Sequence, residues 1–134
     1  MRDEVFLLGR IVFSLVLLRS AFGHLTQTEA SAGYAQFKGG PNAKTMVQVT
    51  GVLMGLGGAA VVLGIFMDLA AVLIAVLMVI FAVKMHDFWK VTDPQAQAGE
   101  RAQFMKNISI AGGALVIAAV TTDFTPYTLT DAIF

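Results

Sequence analysis

The chain has 134 residues, 57% of them apolar and only 13% charged, with a mean hydropathy of +0.75. A soluble domain carries roughly 25% charged residues. This chain therefore lacks the polar surface of a globular protein, and its zero net charge gives no footprint for nucleic acid. Having no cysteine, it has no disulfide, thiol relay, thiolate metal site or c-type haem attachment.

The first predicted span covers residues 5–23 and is read as retained, because two acids precede it and no convincing cleavage site follows. It carries Arg10 inside the apolar run and Arg19 near the far end. At 1.5 Å rise per residue, Arg10 can snorkel to the near interface. It can equally face the bundle and pair there. Both readings stay open.

The polar loop 24–44 is too long for a tight turn. Residues 28–37 within it suit a short interfacial helix with Tyr34 and Phe37 as aromatic anchors. Gly39, Gly40, Pro41 and Asn42 then break the chain. The second span, residues 45–67, has no charge. Its Gly51, Gly55 and Gly58 fall on one face and form a small-residue surface for close helix packing. Asp68 marks a short turn into the third span, residues 69–88. That span ends in Lys84, His86 and Asp87, with Phe88, Trp89 and Lys90 as interfacial anchors.

Thr92, Asp93 and Pro94 signal a helix start inside the second polar loop, 89–103. Gln95, Gln97, Glu100 and Arg101 are expected to be exposed there. The fourth span covers residues 104–122, with Lys106 and Asn107 near its beginning. Ser109 and Gly113 form a second small packing face. Asp123 ends it, and the tail contains Pro126 and no basic residue.

These elements make one all-α integral membrane domain over residues 1–134, a transmembrane four-helix bundle with up-down-up-down topology. Both polar loops lie on one membrane face, with Arg19, Lys38, Lys44, Lys84, Lys90, Arg101 and Lys106. Only Arg2 and Arg10 lie toward the termini. The positive-inside rule puts the loops in the cytoplasm and the termini outside.

The loop face also holds the one candidate polar site: Arg19, His24, His86, Asp87, Lys106 and Asn107. His86 and Asp87 have a purely interfacial reading, in which they stop a span and Asp87 pairs with Lys90. They also suit a quinone, a lipid headgroup or a small anion, since both exchange protons at headgroup depth. Two histidines and an acid from separate segments are weak ligand spacing, so no metal site and no bis-histidine haem is assigned. No nucleophile elbow, phosphate loop or dinucleotide fingerprint is present, and no catalytic residue is assigned.

The chain resembles the DoxX family of small four-helix bacterial membrane proteins. The matching features are Gly9-Arg10, Leu17–His24, the Gly-rich second span, His86–Lys90 and Gln103–Leu115. The tail Pro126–Phe134 is similar to the family's but lacks its Arg, and His24 is followed by Leu25 where the family has Gly. The resemblance implies a multi-pass protein of the bacterial inner membrane, without catalytic activity of its own. It would be a scaffold or accessory subunit of a larger membrane redox assembly. The alternative is the quinone-interacting subunit of a thiosulfate-type oxidoreductase, with quinone as the one cofactor to consider. A further alternative is a small-solute or lipid transporter working as an oligomer. Expected partners are the lipid bilayer and other membrane subunits or further copies of the chain.

Overall fold

A computed structural model describes residues 1–134. The chain forms α1 (Arg2–Thr26), α2 (Thr28–Phe37), α3 (Ala43–Leu63), α4 (Met67–Met85), a 3-10 turn (Phe88–Lys90) and α5 (Pro94–Thr121), and no strand. Helices α1, α3, α4 and α5 are each long and apolar enough to cross a membrane. The shortest, α4, has 19 residues, about 28 Å at 1.5 Å per residue. That matches a hydrocarbon core of about 30 Å. The protein is a multi-pass, all-α membrane protein.

Local chemistry sets the helix ends. The Asp93 carboxylate accepts from the Ala96 amide at 2.8 Å, and Pro94 occupies the first turn of α5. Gly64 ends α3 in the left-handed region at φ 68, and Phe66 follows at φ 41. The turn between α3 and α4 therefore spans residues 64–66. Asp68 lies beyond it, in the first turn of α4, where the helix dipole favours a carboxylate.

Two close pairs build the bundle, α1 on α3 and α4 on α5. Small residues permit both. A β-carbon added at Gly51 would lie 2.9 Å from His24 Cβ, and one at Gly58 would lie 3.2 Å from the Leu18 side chain. A β-carbon added at Gly55 would lie 3.4 Å from Ala21 Cβ of α1. Between α4 and α5 the buried residues include Ala71, Ala75, Ala111, Ala114 and Ala118. Larger side chains, among them Leu17, Met54, Ile74, Met78 and Ile117, fill the space between the pairs. A β-carbon added at Gly113 would lie 3.4 Å from the Phe13 ring of α1, whereas Ser109 is exposed and bonds back to the Met105 carbonyl.

The opposite faces carry Leu15, Phe22, Leu56, Leu73 and Val116, all more than half exposed. In a bilayer these side chains meet acyl chains. The tail folds across the end of the bundle away from the loops. Leu129 and Thr130 amides donate to the Gly64 carbonyl, and Phe66 donates to the Thr130 hydroxyl. The buried Asp68 carboxylate accepts from the amides of Ile133 and Phe134 at 2.6 and 2.8 Å.

Arg10 completes that end. It is 1% exposed. Its guanidinium donates to the carbonyls of Val61, Val62, Pro126 and Tyr127 at 2.7–3.2 Å. The first two are orphan acceptors at the end of α3. Of the two readings open for Arg10, the buried, paired one holds.

Candidate functional site

The loop end of the bundle opens into a cleft of about 590 Å³. Its polar lining includes His24, Tyr34, Thr50, His86, Glu100 and Lys106, and its apolar wall includes Val47, Phe81 and Met85. All five helices supply these groups. The 3-10 turn lets α5 double back beside α4, which sets Glu100 against His86. The ten-residue α2 lies across the mouth and brings in Tyr34 and Lys38.

A hydrogen-bonded network runs along one wall. The His86 Nδ1 lies 3.0 Å from Glu100 Oε2. Tyr34 donates to Glu100 Oε1 at 2.9 Å and stands 2.8 Å from the Met85 carbonyl. Lys38 Nζ meets Asp87 at 2.7 Å and Glu100 at 3.7 Å, with its side chain only 9% exposed. Lys90 pairs with the other Asp87 oxygen at 3.1 Å. Two carboxylates, Asp87 and Glu100, thus sit among two lysines, Lys38 and Lys90. Burial, then the bond to the Glu100 carboxylate, hold the Tyr34 phenol above its ordinary range. Tyr34 is therefore a hydrogen-bond donor at any physiological pH.

These contacts determine the imidazole tautomers. A carboxylate only accepts, so the neutral His86 ring carries its proton on Nδ1 and leaves Nε2 as a lone pair. His24 arrives at the same state by another route. Its Nδ1 lies 3.2 Å from the Thr50 hydroxyl, whose one hydrogen is taken up by the carbonyls of Met46 and Val47 at 2.8 and 3.1 Å. His24 Nδ1 must donate, and its Nε2 is also bare. No protein group bonds either Nε2. Each imidazole is a proton acceptor beside the cleft, and His86 is backed by a carboxylate in the manner of a general base.

Below the cleft lies a smaller chamber of about 110 Å³, whose polar lining is Ser20, His24, His86, Lys106 and Asn107. His24, His86 and Lys106 line both spaces. Of the sequence candidates, His24, His86, Lys106 and Asn107 come together here. Asp87 lies behind the wall, engaged by Lys38 and Lys90. Arg19 is exposed on the outer side of α1 and lines neither space. Phe88, Trp89 and Phe104 form an edge-to-face cluster with centroids 5.3–5.9 Å apart, and Trp89 is half exposed at the bundle rim.

The sequence reading left Glu100, Lys38 and Tyr34 out of the site. It expected Glu100 to be exposed, but the carboxylate turns inward because α5 begins at Pro94 and its second turn faces α4. The signal was present in an acid seven residues beyond a helix cap, at the level of a histidine. No group of three or more His, Cys, Asp or Glu side chains is arranged to hold a metal ion.

Neither the curated proteins nor the solved structures contain a match to the chain. The model of one family, DoxX, matches residues 5–87, which take in α1 through α4 and both cleft histidines. With its four apolar spans and this match over more than half its length, the chain belongs to the DoxX family.

Proposed function

We propose that this protein is a small accessory subunit of a larger redox assembly in the bacterial inner membrane, and that it offers a quinone-headgroup site to its partners. The observation that carries the reading is the His86–Glu100 pair, with Tyr34 and Lys38 behind it, on one wall of a 590 Å³ cleft whose other wall is apolar. Ligand pockets of roughly 300–1,000 Å³ with a few convergent polar groups are the usual size and chemistry for such a molecule. A quinone supplies two-electron chemistry that requires protons to be taken up or released. The residues here supply the proton side. His86 accepts through Nε2, Glu100 stabilises the imidazolium that results, and Lys38 offsets the carboxylate charge when His86 is neutral. Electron exchange falls to a partner subunit. In this reading residues 1–134 act as one membrane domain, the loops 24–44 and 89–103 face the cytoplasm and the termini face outward.

Native purification in mild detergent, with extraction and quantification of bound quinone, tests the proposal. The wild type should retain quinone together with partner subunits. Both His86→Ala and Glu100→Gln should lose at least tenfold of the quinone with helicity unchanged. A protein that purifies alone and without quinone overturns it.

A further inference from the structure

The chamber beneath the cleft has its own chemistry. Asn107 is 4% exposed, borders the chamber and makes no side-chain hydrogen bond. Its amide atoms are bonded by no protein group but open onto the chamber, so whatever fills the chamber meets them. Lys106 also borders the space. It bonds only to Gln103 and pairs with no carboxylate, unlike Lys38, Lys44 and Lys90. Ser20 adds a hydroxyl, and no acidic residue borders the chamber at all. An ammonium, an amide N–H₂ and a hydroxyl around a space with no carboxylate select a negative charge over a cation.

We propose that the chamber binds a small monovalent inorganic anion, held by Lys106, Asn107 and Ser20 and separate from whatever fills the cleft above. About 110 Å³ accommodates a halide-sized ion with one or two waters at roughly 30 Å³ each. The waters reconcile the anion with the histidines. A water that donates one hydrogen to an imidazole Nε2 and the other to the anion satisfies both acceptors. Lys106 provides one positive charge, which sets the valence. The proposal does not depend on the quinone reading, although the two spaces share His24, His86 and Lys106.

Bromide is the probe, compared with gluconate at equal ionic strength on the full chain in mild detergent. The wild type should unfold several degrees higher in bromide, and crystals grown with bromide should show anomalous scattering inside the chamber. Asn107→Asp, which is isosteric but introduces a carboxylate, should lower bromide affinity at least tenfold, as should Lys106→Gln. Glu100→Gln should keep the bromide effect while losing quinone, so the two sites fail independently. Identical melting in both salts together with no anomalous peak in the chamber overturns the proposal. So does a bromide effect that Asn107→Asp leaves intact. The wild-type comparison and the peak stand even where a variant does not fold.

Discussion

Arg10 has no acidic partner, yet it is fully buried in a membrane span. A charge placed at the centre of a bilayer helix costs at least about 2.5–3.5 kcal/mol. Carbonyl dipoles offset it here, and the planar fork of the guanidinium lets one side chain reach four acceptors on two segments. A lysine offers a point charge on a flexible stem and cannot span those positions. Arg10→Lys should therefore destabilise nearly as much as Arg10→Met, by ~3–5 kcal/mol, since each leaves buried carbonyls unpaired. Thermal unfolding in detergent measures this. A lysine variant that melts with the wild type would show that charge alone is what the site needs. The Arg was conspicuous in the sequence as a cation inside an apolar run. Its partners were not, because they are backbone atoms and carry no sequence signature. Asp68 is the same case at the opposite sign, a visible acid whose partners are the amides of Ile133 and Phe134.

At the scale of elements, glycines differ by what lies opposite them. Gly51 faces α1 so closely that even a methyl group would lie 2.9 Å from His24 Cβ. Gly112 of α5 has nothing within 4 Å of its notional β-carbon. Gly51→Ala should force α1 and α3 apart and cost about 1–3 kcal/mol. It should also shift His24 and so weaken whatever binds the cleft. Gly112→Ala should cost nothing and gain up to about 1 kcal/mol from helix propensity. Paired melting curves of the two variants decide it, and equal behaviour would remove close approach as the reason for Gly51. The long helices were legible because apolar runs of this length have few other solutions. Which face of each helix turns inward was not. Lipid is as apolar as a protein core, so inner and outer faces carry the same residue types and the usual amphipathic periodicity vanishes. The turn after α3 shows the same limit in detail. The first charge, Asp68, looked like the boundary, but Gly64 and Phe66 make the turn and the charge is buried inside the next helix.

For the molecule as a whole, polar chemistry is divided between two ends with different work. The end with the termini is closed: Arg10 and Asp68 spend their hydrogen bonds on backbone, and the tail lies across the opening. The loop end is open, with a cleft, a chamber, bare imidazole nitrogens and an unpaired lysine. This asymmetry makes orientation the property on which function turns, because it decides which compartment supplies protons and partners to the cleft. Cations concentrated at the loop end are the ground for proposing that this end faces the cytoplasm. Three of them are partly neutralised, Lys38 and Lys90 by Asp87 and Lys44 by Glu29. Acidic neighbours count little in this rule, however, and Lys84, Arg101 and Lys106 have no acidic partner. The lack of native cysteine makes any introduced thiol unique. Asp131 and Gln95 are exposed at opposite ends and make no side-chain hydrogen bond, so neither replacement disturbs the fold. With an impermeant thiol reagent on intact bacterial cells, Asp131→Cys should label at once. Gln95→Cys should label only after the membrane is permeabilised. The reverse pattern would turn the cleft outward. Its histidines would then exchange protons with the outer compartment, and a soluble partner on the cytoplasmic side would meet only the closed end held by Arg10 and Asp68.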